Sequence, residues 1–597
     1  MRESLPKRES EPKPVFVFAV LAVVLALRIL HLSSALKSPL SYQPGPDEDY
    51  YLRFGEAVAA GVGADAPEFT FMDPGYGYLL GGLFKLLGVN LFAVYLLQAL
   101  LDTATAYGIL TIGRMLELPR AGLLGALLYA VNATAIMFCA TLLKETAVAA
   151  YLCWWVAGAL AVYRSPSKLA SLAFGAYCGV GVALRSTLSV LVLVALLVPA
   201  LAGAARGGAV RGGAVRSTAG LAALFTAGLV LALAPWSLRN HRAFGSFSPL
   251  PHNGGIVLHQ AYNVDNPQSA IWIPAFVNYS NPSEIWRGYA AQAQALAGRP
   301  LSPPEVDRYW RDQALGFMSE HPGAVAGEMA HKSLMFLADT EVPNNRSAVE
   351  ERMFSPVLQL LPAPAIWLLS MGLAGLIWLA RRDRRWVIVA APIALSWATM
   401  TFFWAEDRFR FHCMPELALC SGLIIDELMR HAGRYWQRRR PGTPEEGTPD
   451  AGGMAAGVLG ASGFAVAVAA VSLCLGSLFP PPPVRWDHIV WGYIKMGQLD
   501  QARSLAERIA TLQPDNGPIM EARGYLAAAD RNYADAVRSF SRAIALRPRS
   551  YLAHYNLAKA FLALGDKTQA AEEAKTCLDL NPSADARTLL AQIEATP

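Results

Sequence analysis

Residues 15–32 read VFVFAVLAVVLALRILHL. At ~1.5 Å per residue, an apolar run of this length crosses a hydrocarbon core of about 30 Å. The preceding residues 1–14 are polar and mixed in charge, and no small-residue cleavage site follows the run. The reading is a cytoplasmic N-terminus and an uncleaved first span. Similar runs recur at about 91–113, 121–140, 146–163, 168–184, 187–204, 217–236, 356–380, 386–404, 415–430 and 454–478, so the expectation is an all-α polytopic membrane protein with about eleven transmembrane helices. Composition agrees: 597 residues that are 54% hydrophobic and only 16% charged carry too much apolar sequence for ordinary soluble domains.

The formal net charge of +5 comes mainly from arginines in short connections. Arg114 and Arg120, Arg164 and Lys168, Arg206, Arg211 and Arg216, the run Arg381 to Arg385, and Arg430, Arg434 and Arg438 to Arg440 mark alternate loops. By the positive-inside rule these face the cytoplasm. The alternation holds only if Gly75–Gly88, with Pro74 before it and Lys85 within it, stays interfacial or re-entrant. The opposite face then collects the first loop (34–74), the Lys144-Glu145 junction, the segment 237–355, the Glu406-Asp407-Arg408 junction and the C-terminal tail. No nucleic-acid motif appears, so no nucleic-acid partner is expected. Cys139, Cys153, Cys178, Cys420 and Cys474 sit in apolar runs, no two cysteines have CxxC spacing, and neither a zinc site nor a disulfide framework is supported.

These features divide the chain into a membrane module over 15–236, an external loop domain over 237–355 and further spans over 356–430. A cytoplasmic linker follows over 431–453, rich in Arg, Pro, Gly, Glu and Thr from Gln437 onward, then a last span over 454–478. In the external segment a helical pattern appears around Pro304 to Ser319. Pro480 to Pro483 form a stiff spacer to residues 484–597. There Pro514, Pro548 and Pro582 recur every 34 residues, as do Ala502, Ala536 and Ala570. This is the tetratricopeptide period. Trp486, Tyr493, Gly524, Phe540, Ala543, Leu557 and Ala574 fall where that repeat needs packing residues. Three helix pairs and a terminal helix are expected, an α-solenoid that either caps the chain or offers a groove to a protein or glycan.

Gly45-Pro46-Asp47-Glu48-Asp49-Tyr50-Tyr51 concentrates three carboxylates in the first external loop. Locally it is a helix start: Pro46 suits the first position, acids in the first turn complement the dipole, and Gly61 can close the helix. Pro46-Asp47-Glu48 followed by Tyr50-Tyr51 also resembles the GT-C glycosyltransferases, particularly the aminoarabinose-transferase-like and protein O-mannosyltransferase-like members (family 39 type). Pro235-Trp236-Ser237-Leu238-Arg239-Asn240 is similar to the stretch where those proteins leave the membrane for their external domain. Glu406-Asp407-Arg408-Phe409-Arg410 with Pro415 is similar to their signature before a late span. The resemblance covers about residues 15–430, and the repeats add an architectural likeness to the animal transmembrane and tetratricopeptide O-mannosyltransferases.

The resemblance implies a GT-C fold and transfer of a monosaccharide from a polyprenyl-phosphate donor, a membrane lipid carrier, to a hydroxyl on a lipid, glycan or protein acceptor, with inversion, on the non-cytoplasmic face. Such chemistry needs a carboxylate to take the acceptor proton and cations for the departing phosphate. Asp47 matches the family's first-loop aspartate and is the expected general base. Glu48, about 100° away round a helix, orients Asp47, the acceptor or a metal, and Asp49 is the weakest of the three. Asp73, before Pro74, is the expected partner of Asp47 for a divalent cation, although Asp-Pro also opens turns. Arg408, Arg410 and Arg239 lie within the family-like stretches and, with Arg185, are expected to bind the donor phosphate through their planar forks. Arg28, inside the first run, is assigned a phosphate-side role, and Asp102, midway along the second, a structural polar contact. Lys144 and Glu145 are read as an internal ion pair or as part of the same surface.

Two other readings compete. An oligosaccharide ligase or polymerase of the O-antigen ligase type also uses polyprenyl donors, a large external loop and sometimes tetratricopeptide tails, but relies on late-loop arginine and histidine instead of an early Asp-Glu pair. A non-catalytic scaffold would recruit partners through the repeats. The expected location is a bacterial inner membrane with the repeats in the periplasm.

Overall fold

The computed structural model describes residues 11–66, 69, 71–205, 212–266, 272–274, 276–277, 282–361, 365–438, 451–479, 483–581 and 583–595. Most of the cytoplasmic N-terminus, Arg206 and Arg211, most of the linker, Pro480–Pro482 and Pro582 lie outside the described residues. Every regular element among the described residues is helical. The chain forms two units, one of residues 1–34 and 46–482, the other of residues 35–45 and 483–597.

Among the described residues, four helices are long and apolar enough to cross a membrane: Pro14–Ala35, Leu91–Met115, Glu145–Arg164 and Ala219–Phe244. Lys168–Leu184, Ser186–Pro199, Trp386–Phe402 and Ser462–Leu478 are shorter apolar helices. The run at 121–140 departs from expectation, because it is two helices, Pro119–Ala130 and Ala133–Phe138. Asn132 breaks it: its side chain accepts the Ala135 N–H at 2.8 Å, capping the second helix. Neither piece reaches across a bilayer at ~1.5 Å per residue. The helix Gly212–Phe244 runs on through Pro235 and past residue 237.

Small residues set the helix spacing. Helix Lys168–Leu184 packs on Gly212–Phe244, and a Cβ at Gly175 would lie 1.9 Å from the Phe225 carbonyl oxygen. Without a side chain there, the two backbones come close enough for extensive dispersion contact. The same device seats the helix that carries Asp47. Pro46–Ala60 packs on Pro74–Leu87, and Phe54 fills the space a Cβ at Gly77 would need, at 2.3 Å.

The external segment holds helices Gly254–Ala261, Pro282–Ala297, Pro303–Glu320, Pro322–Leu337 and Ala348–Arg352. Ser302 and Glu305 form a capping box at the start of the third, the helix anticipated around Pro304. Ile256, Ile285, Tyr289, Val306 and Trp310 make a small core that Phe71 of the first loop joins. Val325 and Phe336 belong instead to the main membrane-unit core, since helix Pro322–Leu337 packs on Trp386–Phe402.

Within the bundle, the Arg28 side chain is fully buried and its Nε bonds Asp102 Oδ2 at 2.6 Å. Its other nitrogens donate to the carbonyls of Ala130 and Tyr129, and the Tyr129 hydroxyl donates to Asp102. This satisfies the structural role expected of Asp102 and overturns the phosphate-side role of Arg28, each of whose three guanidinium nitrogens is engaged inside the bundle.

The second unit contains the expected three pairs and terminal helix: Trp486–Lys495 with Leu499–Leu512, Gly517–Ala529 with Tyr533–Leu546, Tyr551–Leu564 with Lys567–Leu580, then Ala584–Ala595. Ala502, Ala536, Phe540, Ala543, Leu557, Ala570 and Ala574 are buried as the repeat requires, and Gly524 leaves room for the Phe540 ring. The helical turn Pro39–Tyr42 packs on Trp486–Lys495, where a Cβ at Gly492 would lie 2.1 Å from the Pro39 carbonyl oxygen.

Breaking a buried pair strands one charge, at a cost of about 3–5 kcal/mol, whereas an apolar replacement of both partners is far better tolerated. Asp102→Leu should therefore lower the melting midpoint of the detergent-solubilised chain strongly, and Arg28→Met with Asp102→Leu should recover most of the loss. Equal midpoints for the single and double variants would contradict the pair's structural role.

Candidate functional site

Pro46 opens the helix Pro46–Ala60, and Asp47, Glu48 and Asp49 fill its first turn. The helix is anchored by aromatic contacts: Tyr50 on Phe69 at 5.7 Å and Tyr51 on Tyr76 at 5.0 Å, both edge to face, and Phe54 stacked on Phe69 at 4.7 Å. Asp47 and Glu48 are buried. Asp49 points away and pairs with the exposed Arg53, in keeping with its lesser expected role.

Asp47 is held from two distant segments. Its N–H donates to Asn345 Oδ1 at 3.0 Å, and Asn345 Nδ2 donates to Asp47 Oδ2 at 2.8 Å. Arg408 Nη1 reaches the same Oδ2 at 2.7 Å. No hydrogen bond engages Oδ1 among the described residues, and the side chain keeps 11% of its surface accessible. Glu48 is gripped differently. Arg346 donates to it from Nε at 2.9 Å and from Nη2 at 3.0 Å, and the Leu142 N–H adds a third bond at 2.9 Å. Such a fork fixes a carboxylate in a plane. Arg346 also reaches Glu351 at 3.1 Å.

Arg408 is the junction of the site. Besides Asp47 it bonds Glu406 and lies 3.8 Å from Glu145 Oε1. Burial alone would lower its pKa, but Glu406, Asp47 and Glu145 outweigh burial and raise it. Glu145 in turn receives Arg185 Nη1 at 3.2 Å and His412 Nε2. Burial lowers the His412 pKa to about 4 despite Glu145, so near neutral pH the ring is uncharged and donates its Nε2–H to Glu145. Burial also raises the Glu406 carboxyl above its ordinary range, opposed by Arg408. Asp73 binds Lys144 and accepts the Ser186 N–H at 2.9 Å. Lys144 and Glu145 thus turn to separate partners instead of pairing with each other.

Among the residues expected to hold phosphate, Arg408 and Arg185 stand in this network. Arg185 also lies 4.8 Å over the Phe409 ring. Arg410 does not face it: its guanidinium donates to the carbonyls of Ala338 and Thr340 and pairs with Asp407, pinning the chain before residues 341–347. Arg239 donates to the carbonyls of Ala64 and Phe69, at 2.8 and 3.3 Å, and pairs with Asp65 at 3.3 Å. It secures the end of the first loop. Arg28 lies in the bundle, as described above.

The expected divalent site does not fit. Asp47 and Asp73 each already have a cationic partner, and among the described residues no group of three or more His, Cys, Asp or Glu is arranged for a metal. Beside Asn345, Glu406 and Arg408 a cavity of about 20 Å³, walled on its apolar side by Phe138 and Leu143, has room for one water molecule. Sequence reasoning missed Asn345, Arg346, Glu351 and His412. The only local signal was the polar run Asn344 to Ser347 in the loop ahead of Ala348–Arg352.

The Glu351 carboxyl is pushed up to about 7, first by burial and then by Glu48 and Glu350, against the pull of Arg346. Between its ordinary value of 4.5 and about 7, the folded chain holds a proton that the unfolded chain has released. This contribution to stability is full below about 4.5 and is lost as pH rises through about 7. Glu351→Gln should therefore raise the melting midpoint at pH 8 by a few degrees and flatten its fall from pH 5 to pH 8. Parallel profiles for variant and parent would contradict this.

A family model of the tetratricopeptide repeat matches residues 521–585 and 555–595. No curated protein matches the chain. Among solved structures, the first tetratricopeptide domain of Spaghetti (RPAP3) bound to an HSP90 peptide is 22% identical, over 18% of this chain and 87% of that one, with a TM-score of 0.18. The Archaeoglobus fulgidus oligosaccharyltransferase tethered to an acceptor peptide is 13% identical, over 80% of this chain and 57% of that one, with a TM-score of 0.42. The same archaeal enzyme with an inhibitory peptide and a dolichol-phosphate is 12% identical, over 80% and 58%, with a TM-score of 0.40. The chain thus spans less than two thirds of the oligosaccharyltransferase's length.

Proposed function

We propose that this chain is an integral-membrane glycosyltransferase of the GT-C type. It transfers a monosaccharide from a polyprenyl-phosphate carrier to a hydroxyl of a lipid, glycan or protein, with inversion. The observation that carries the reading is the Asp47 carboxylate, anchored through Oδ2 to Asn345 and Arg408 while Oδ1 has no partner among the described residues. A base must be fixed in direction yet keep one oxygen open to its proton donor. In the proposed step, Oδ1 takes the acceptor hydroxyl proton as that oxygen bonds the anomeric carbon. The bond from the anomeric carbon to the phosphate oxygen breaks on the opposite face, and its electron pair leaves with the polyprenyl phosphate.

Arg408 and Arg185, on either side of Glu145, are the guanidiniums we assign to the phosphate. Their charge would act in a partly desolvated setting, where it counts for more than in water. No metal enters this scheme. We place the site and the repeats on the non-cytoplasmic face, that of the periplasm in a bacterial inner membrane, because the arginine-rich connections mark the opposite face as cytoplasmic. The tetratricopeptide array would receive a protein partner.

Replacing Asp47 by Asn keeps its shape and removes the base. Loss of a general base typically costs about 10²–10⁴-fold in rate. Transfer from undecaprenyl-phosphate or dolichyl-phosphate monosaccharides, followed as release of the polyprenyl phosphate, should fall by that order in Asp47→Asn at unchanged expression. Full turnover by this variant would remove the assignment.

A further inference from the structure

We infer that Asn345 is a positioning residue that selects which Asp47 oxygen acts as base, an inference that rests on the reading of Asp47 as the base. One side-chain amide meets two groups of a single residue. Asn345 Oδ1 accepts the Asp47 N–H at 3.0 Å while Nδ2 donates to Asp47 Oδ2 at 2.8 Å. The two contacts close a ring across a sequence separation of 298 residues. They fix the carboxylate relative to its own backbone, a constraint that one hydrogen bond to the oxygen would not impose. Asn345 is 4% exposed, and the backbone N–H at one end dictates the orientation of its amide. The carbonyl end must face that donor, so the amino end faces the carboxylate.

The next residue extends the grip. Arg346 takes Glu48 through two nitrogens, so consecutive residues of one loop hold consecutive residues of the helix start. The loop is itself tied down on both sides. The Asp407 N–H donates to the Val342 carbonyl at 3.0 Å, and Asn344 Nδ2 donates to Glu406 at 2.7 Å. Glu341 accepts the Val349 N–H at 3.2 Å and also the Ala348 N–H. With Oδ2 occupied by Asn345 and Arg408, Oδ1 is the oxygen left for an acceptor proton. Arg408 supplies charge from one direction, and Asn345 supplies the angle.

The chemistry of position 345 gives the test. Asn345→Ala removes both contacts. Asn345→Asp keeps the shape but sets a second carboxylate against Asp47 Oδ2, where the amino group now donates. In the full-length chain in detergent, with an undecaprenyl-phosphate monosaccharide as donor, Asn345→Ala should lower kcat about 10- to 100-fold, as expected for lost bonds to a charged group. KM for the donor should stay within about twofold and the melting midpoint within a few degrees. Asn345→Asp should fall below Asn345→Ala. The Asp47 amide should exchange its hydrogen faster in Asn345→Ala, which loses the acceptor of that N–H, a readout that needs no turnover. A kcat for Asn345→Ala within twofold of the parent overturns the inference, as does unchanged exchange at Asp47. Turnover that survives Asp47→Asn removes the general base and the catalytic reading with it, while faster exchange in Asn345→Ala still shows the clamp on Asp47.

Discussion

The Arg408 guanidinium lies among three carboxylates from three parts of the chain, Asp47 of the first loop, Glu406 beside it and Glu145 at the head of a span. A buried cation is tolerated only where opposite charges and hydrogen bonds replace its lost hydration. The need is mutual: each carboxylate is also buried and depends on a cation. This reciprocal dependence holds the first loop, the start of helix Glu145–Arg164 and the late loop together. Arg185 and His412 complete the arrangement from the far side of Glu145.

The buried arginines separate by what they face. Arg28 and Arg410 direct their guanidinium donors to backbone carbonyls and a single acid, and so serve as structural ties. Arg239 fastens the end of the first loop in the same manner. Arg408 and Arg346 each join carboxylates that belong to different segments. A guanidinium suits both tasks because its five donors lie in one plane, but only a cation among several carboxylates can redistribute its bonds when a ligand arrives. By this distinction Arg28, Arg239 and Arg410 leave the expected phosphate cluster.

The repeat array obeys a simpler rule. Each helix pair buries small residues against its neighbours, as Ala502, Ala536 and Ala570 do in successive units, so the 34-residue period is a packing period. The array's first helix also accepts the turn Pro39–Tyr42, at a place where Gly492 lets the two backbones approach. That turn shortly precedes Pro46, the first residue of the helix that carries Asp47.

By itself the sequence determined what depends on neighbours in the chain: apolar runs that become helices, the period of the repeats, and a helix start at Pro46 with acids in its first turn. Asp47 and Arg408 were also legible as members of one site, because three family-like stretches fell on one expected face. Only the tertiary structure decided which charges meet. Lys144 and Glu145 are adjacent, yet successive side chains in this helical conformation diverge by about 100°, so one binds Asp73 and the other Arg185 and His412. Asn345 and Arg346 sit in a loop with no periodicity to mark them, 298 residues from Asp47 and Glu48. Asn132, unremarkable inside an apolar run, broke an expected span by capping a new helix. Local pattern follows from short-range sterics and periodic burial, whereas the pairing of a buried charge is set by whichever opposite charge the folded backbone brings within about 3 Å.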